Sequence, residues 1–144
     1  MYYFAYGSNL NPRLLQKRCP DFIKYGVGVL EGYKLEFCGY SMRWRGGVAT
    51  INPSAGGEVW GTLYKLNSGL AKRLDRYEGT RKKRYHKVQL SIKTADDKLV
   101  SAYGYARFNK PPSKPSKKYL GVIVEGAKLN HLPQSYIRQL ESQR

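Results

Sequence analysis

The sequence predicts an α+β fold, a small and mostly antiparallel β-barrel with short flanking helices. Three observations lead there. Strand-like stretches and separate amphipathic helices follow one another without the regular βα alternation of a parallel sheet. The strands are short and bent by glycines, which suits a sheet curled on itself. The length, 144 residues, fits one domain with a real core, so the boundaries are set at 1–144.

Tyr2 to Tyr6 is aromatic or apolar and reads as a short buried strand. Gly7-Ser8-Asn9 breaks it. Asn11 caps a helix over Arg13–Arg18, with Pro12 at the first position, where a missing N–H removes nothing. Tyr25 to Tyr40 alternates loosely and is punctuated by Gly26, Gly28, Gly32 and Gly39. It reads as one or two strands with a bulge or bend at Gly32. Ser41–Gly47 is a loop carrying Arg43-Trp44-Arg45, a packed tryptophan with solvated neighbours or a grip for a base or carboxylate.

Gly47–Asn52 is a strand closed by Pro53, Ser54–Gly57 is a turn, and Glu58–Leu66 is the clearest strand of the chain. Asn67-Ser68 caps a helix with Leu70, Leu74 and Tyr77 on one face, and Gly79 stops it. Tyr85–Lys93 and Leu99–Phe108 form a hairpin around Asp96-Asp97. Lys110–Lys118, with its three prolines and four lysines, is an exposed extended loop. Ser116 caps a third helix that buries Tyr119, Leu120, Ile123, Val124 and Ala127. Pro133 starts a last one with Tyr136, Ile137 and Leu140 inward.

The net charge is +16 and uneven: residues 1–64 hold 7 basic and 4 acidic side chains, residues 65–144 hold 19 and 6. Such a surface attracts anions, whether nucleic acid, acidic lipid or a small acidic substrate. No stretch has the apolar length of a membrane span, and the N-terminus lacks a signal-sequence pattern. Cys19 and Cys38 form no metal or redox spacing and read as buried small hydrophobes, which places the protein in a reducing cytoplasm.

Two places carry chemistry. Gly7-Ser8-Asn9, between a strand and a helix start, is either an ordinary turn or an anion cradle whose backbone N–H groups face a ligand. It matches neither a Walker loop nor a dinucleotide fingerprint. Glu78 closes the second helix, where the negative end of the dipole and any burial disfavour ionisation. A carboxyl so raised suits general acid/base work, whereas a solvated glutamate among these lysines and arginines would be lowered instead. His86 and His131 sit in no metal motif, and Ser8 in no nucleophile elbow, so no metal, cofactor or covalent nucleophile is expected.

Tyr6-Gly7-Ser8-Asn9-Leu10 resembles the signature of the gamma-glutamylcyclotransferase family, with its AIG2-like fold. Later blocks agree in order: Leu74-Asp75 through Glu78-Gly79, with Tyr85 seven residues past the glutamate, then Pro115–Leu120, Glu125-Gly126-Ala127 and Leu132-Pro133 with Tyr136. Val59-Trp60-Gly61 is similar to a strand of the family. Asn130-His131-Leu132-Pro133 departs from a common His-Gly-Leu-Pro, with little bearing on function.

The resemblance implies that the backbone of Gly7, Ser8, Asn9 and Leu10, with Tyr6 in the same motif, holds a glutamyl group. It also implies that Glu78 is the catalytic acid/base and that Tyr85 and Tyr119 line the pocket as donors. The substrate would be a small gamma-glutamyl amide cyclised to 5-oxoproline, with the turn serving either its α-carboxylate or the developing oxyanion. No cofactor is needed, no membrane is involved, and a monomer or homodimer suffices. The alternative is a non-catalytic member that binds nucleic acid or another polyanion through the basic C-terminal half, along Arg81–Lys87.

Overall fold

A computed structural model describes residues 1–79 and 85–143 and contains the expected barrel. Its strands are β1 (Tyr2–Ala5), β2 (Ile23–Ser41), β3 (Gly46–Lys65), β4 (His86–Thr94) and β5 (Leu99–Ala106). They close in the order β1-β3-β2-β4-β5. The last seam joins β5 to β1 in parallel, with Tyr3 opposite Tyr103, and every other pairing is antiparallel.

The long hairpin differs from expectation in its second arm. Tyr25–Tyr40 lies within one 19-residue strand, one of the two forms expected, but the two strands expected on either side of Ser54–Gly57 are a single 20-residue one. The reason is the partner. Between Glu31↔Glu58 and Tyr33↔Pro53 the register shifts, with Gly32 extra in β2 and Ser54–Gly57 extra in β3. Pairing resumes on both sides, so the turn signals become a bulge that bends two strands together. Gly32 supplies the bend at φ 81, as the sequence predicts. The Ser41–Gly47 loop shrinks to the hairpin tip, because Gly46 and Gly47 join β3.

The helices are α1 (Pro12–Arg18), α2 (Ser68–Glu78), α3 (Lys117–Leu129) and α4 (Gln134–Glu141). The predicted side-chain caps form: Asn11 accepts from the Arg13 N–H at 3.0 Å, Asn67 from Leu70 at 2.8 Å and Ser116 from Tyr119 at 3.1 Å. Gly79 ends α2 in the left-handed conformation, φ 69. Pro133 caps α4 rather than opening it. Tyr77, expected in the core with Leu74, is instead 37% exposed.

β1 is buried on both faces. Phe4 joins Leu30, Ile51, Leu63, Ile92, Leu120 and Ile123 in one cluster. Tyr3 and Ala5 join Leu15, Tyr64, Leu74, Tyr103 and Tyr105 in another. Alternation of side chains along a strand divides the two sets. The chain leaving β1 therefore has a fixed starting point. It passes through Tyr6 and Gly7 into a single 3-10 turn, Ser8–Leu10.

α3 clamps that turn from behind. Asn130 donates to the Leu10 carbonyl at 2.7 Å and to the Gly126 carbonyl at 3.0 Å. Gly126 lies so close that a Cβ there would stand 2.6 Å from the Leu10 carbonyl carbon and the Asn11 nitrogen. Those are backbone atoms and cannot rotate aside. Gly126→Ala should therefore lower stability by about 1–3 kcal/mol through overpacking, read as a fall in urea midpoint at unchanged slope.

Candidate active site

Glu78 is the last residue of α2, and the left-handed turn at Gly79 releases the chain just past it. Its Oε1 accepts a hydrogen bond from Asn9 Nδ2 at 3.0 Å. The same nitrogen donates to the Tyr3 hydroxyl at 3.0 Å. Asn9 Oδ1 in turn accepts from Arg18 Nη1 at 2.6 Å, and that nitrogen also reaches Ser8 Oγ at 2.9 Å. Asn9 is 3% exposed and Arg18 is 7% exposed, so the centre of the network is buried, while Ser8 and Glu78 at its edge are half-buried.

Burial pushes the Glu78 carboxyl up, while the Arg18 cation and the Asn9 hydrogen bond pull it down. The balance stands at about 7. This is the raised carboxyl that the helix end suggested, with loss of solvent as the main cause. The phenols around it go the other way in function. Burial raises Tyr3, Tyr6, Tyr85 and Tyr119 above the ordinary phenol value, so they remain protonated.

A small pocket of about 30 Å³ lies against the carboxylate, bounded by Tyr3, Tyr6, Gly7, Ser8, Asn9, Ala49, Glu78, Tyr85, Tyr105 and Tyr119. Every site residue expected from the sequence is there except Leu10. The Leu10 N–H donates to the Gly7 carbonyl at 3.0 Å, and its side chain is wholly buried in the core. Ser8 and Asn9 open the 3-10 turn, where an N–H has no carbonyl of its own turn to bond. Gly7 keeps the floor clear: a Cβ there would meet Ala49 Cβ at 3.4 Å and the Tyr119 hydroxyl at 3.7 Å. Tyr119 accepts from the Ala49 N–H at 2.9 Å, which leaves its own proton free to donate.

The pocket opens into a vestibule of about 380 Å³ across Ser8, Glu78, Tyr85 and Tyr119. Its outer wall is the β2–β3 hairpin tip, Tyr40 to Trp44, together with Tyr77 and Arg107. Trp44 packs on Tyr119 with ring centroids 5.1 Å apart, so the packed-tryptophan reading holds while Arg43 faces the vestibule. The Lys110–Lys118 stretch borders a separate hollow beside β2. Residues 81–84 of the basic run lie outside the described residues. Among the described residues no cluster of His, Cys, Asp and Glu would hold a metal.

Sequence reasoning missed Tyr3, Arg18 and Arg107, and left Arg43 between a solvated neighbour of the tryptophan and a grip for a base or carboxylate. A signal for Arg18 existed. It stands three residues after Leu15 and one before Cys19, and all three share the buried face of α1. A charge on an apolar face invites a search for its partner.

Residues 58–140 match the AIG2-like family. The gamma-glutamylcyclotransferase of Bos taurus is 38% identical, covering 97% of this chain and 77% of its own length. That of Homo sapiens is 35% identical over the same shares. A solved gamma-glutamyl cyclotransferase structure superposes with a TM-score of 0.95 at 34% identity, covering 98% of this chain and 86% of its own. The chain belongs to the AIG2-like gamma-glutamylcyclotransferase family. The family stretch contains Glu78, Tyr85 and Tyr119, and its Glu125-Gly126-Ala127 block has a structural reason in the α3 clamp. His131 takes φ 58, a left-handed position.

The raised carboxyl has a thermodynamic consequence. A group whose folded pKa of about 7 exceeds its ordinary 4.5 binds its proton more tightly when folded. Its contribution is fully favourable below pH 4.5 and is lost as pH rises through 7. Glu78→Gln should thus be more stable than the parent at pH 8, by up to about 3 kcal/mol. The difference should vanish near pH 4, and paired denaturant titrations at the two pH values measure it.

Proposed function

We propose that this chain is a gamma-glutamylcyclotransferase that releases 5-oxoproline and a free amine from a small gamma-glutamyl amide. The observation that carries the reading is the Glu78 carboxyl, poised near neutrality and hydrogen-bonded to Asn9 of the Tyr6–Leu10 motif. The named relatives support it.

The substrate supplies its own nucleophile. Glu78 takes a proton from the α-ammonium group, and the freed amine attacks the γ-carbonyl of the same residue. A five-membered ring closes as the new C–N bond forms. The carbonyl oxygen becomes an oxyanion, with the Tyr119 and Tyr85 hydroxyls and the N–H groups of Ser8 and Asn9 as donors around it. Glu78 returns its proton to the leaving nitrogen as the oxyanion collapses and the old C–N bond breaks. The ring nitrogen then gives its remaining extra proton to the freed Glu78 carboxylate, which passes it to the departing amine, so that the amine leaves as an ammonium ion and 5-oxoproline keeps one N–H. No electrons leave the pair of molecules, and holding amine and carbonyl together supplies much of the acceleration.

The variable half of the substrate occupies the vestibule. Arg43 and Arg107 face it, and neither is paired with a carboxylate among the described residues. Arg107 Nε is buried without a partner. Such a wall favours a leaving group that carries a carboxylate, an amino acid rather than a simple amine. The polyanion alternative gains no support. Lys87, Lys93 and Lys98 of the basic half are held by Asp75, by Glu31 and Asp97, and by Asp96.

The reading takes residues 1–144 as one domain, since the pocket draws on side chains from Tyr3 to Tyr119. One chain supplies the whole pocket, so monomer and homodimer serve equally. Free thiols at Cys19 and Cys38 agree with a cytoplasmic setting. No helix among the described residues is long and apolar enough to cross a membrane.

Release of 5-oxoproline from a panel of gamma-glutamyl amino acids and matched gamma-glutamyl alkylamines tests the proposal. The parent should turn over, and Glu78→Gln should lose at least about a hundredfold in kcat. An active Glu78→Gln removes that residue from the mechanism. Arg107→Gln should lower kcat/KM about tenfold to a hundredfold for carboxylate-bearing leaving groups, and little for the alkylamines.

A further inference from the structure

We propose that Arg18 is a positioning residue that sets the orientation of Asn9 and Ser8, and through Asn9 the presentation of Glu78 to the substrate. The inference rests on the cyclotransferase reading for its kinetic part alone.

The side-chain amide of Asn9 has nearly the same shape after a half-turn that exchanges oxygen and nitrogen. The two orientations differ sharply in what they offer. As observed, the nitrogen donates to Glu78 Oε1 and to Tyr3. Reversed, the amide oxygen would face the carboxylate, acceptor against acceptor. Arg18 removes the second choice. A guanidinium only donates, and its Nη1 lies 2.6 Å from Asn9 Oδ1. Reversal would set two donors against each other there. The same Nη1 donates to Ser8 Oγ at 2.9 Å, so the Ser8 hydroxyl proton points elsewhere, and Ser8 borders the pocket.

Folding alone does not account for Arg18. It is buried, its Nε has no partner, and no carboxylate bonds it directly among the described residues. A buried cation so placed is unfavourable for stability. Its guanidinium lies 3.9 Å from the centre of the Tyr77 ring, the residue before Glu78. One side chain thus links the Ser8-Asn9 turn to the end of α2.

Other groups bear on Glu78 as well. Tyr3 from β1, Tyr6 from the turn, Tyr85 ahead of β4 and Tyr119 from α3 are all neutral phenols near the carboxyl. The guanidinium of Arg43 at the hairpin tip also lies near Tyr77, at 5.2 Å from its ring centre. Asp75 of α2 is engaged with Lys87 and Tyr105. Among the described residues Arg18 is the cation whose charge pulls on Glu78, across the Asn9 amide, and it holds the carboxyl below the value burial alone would give.

Two substitutions separate orientation from charge. Arg18→Lys keeps the cation but replaces a planar guanidinium with a single freely rotating ammonium. Its kcat should fall at least about tenfold at little-changed KM, with the Glu78 titration near its parental pH. Arg18→Met removes the cation, and the Glu78 titration should rise by about one pH unit or more. The acid limb of kcat/KM should move with it. Carbon-13 NMR of the labelled glutamate carboxyls, assigned with Glu78→Gln, reads the titration without substrate. The charge arm therefore stands even if no gamma-glutamyl compound is turned over. Arg18→Gln replaces Arg18→Met if that variant does not fold. An unchanged Glu78 titration in the folded neutral variant, or Arg18→Lys turnover within about threefold of the parent, overturns the proposal.

Discussion

Burying a carboxylate is unfavourable unless its charge is answered, and around Glu78 the answer is partial. A direct arginine pair would pull the group into the ordinary acid range and leave it useless as a base at neutral pH. Isolation would raise it until it never ionised. Here the cation acts at one remove, with the Asn9 amide between. The carboxyl is left near 7, where it can both take and return a proton. This intermediate state depends on the exact placement of the amide, so much of the fold serves to hold a short turn still.

That holding begins at β1. A four-residue strand buried on both faces has no freedom to slide, because a one-residue slip would exchange Phe4 for Tyr3 between two different clusters. The seam with β5 closes the barrel at this strand. Behind the turn, Gly126 and Asn130 fasten Leu10 to α3. Leu10 does not line the pocket. Its N–H is engaged within the turn, and its buried side chain anchors the segment that carries Ser8 and Asn9.

The sequence made the local features legible wherever one residue type has one physical use. The side-chain caps at Asn11, Asn67 and Ser116, the bulge at Gly32 and the stop at Gly79 all depend on near neighbours. Ser54–Gly57 was not legible, because whether turn chemistry ends a strand or bends it depends on a partner strand far along the chain. Tyr77 fits the apolar spacing of α2, yet its ring neighbours are the guanidiniums of Arg18 and Arg43, which attract an aromatic face as an apolar neighbour would. Glu78 could be singled out from its place at a helix end. Its cation could not, since Arg18 reaches it through tertiary structure, and only the pattern of Leu15, Arg18 and Cys19 hints that this charge points inward.

The pocket also explains how little chemistry the protein must contribute. In a reaction whose nucleophile, electrophile and leaving group arrive in one molecule, a covalent group on the enzyme would add a step and save none. What is needed is a proton carrier and a set of donors that stay donors. The phenols of Tyr85 and Tyr119 border the pocket, and the loss of solvent that raises them also keeps them from competing with Glu78 for the proton. The narrow inner pocket lies beside the carboxyl, and the wide vestibule is bounded by side chains of the hairpin tip and by Arg107. The tip and the Ser8–Leu10 turn meet across the pocket and not through the backbone, so the outer wall can change in sequence without disturbing the turn.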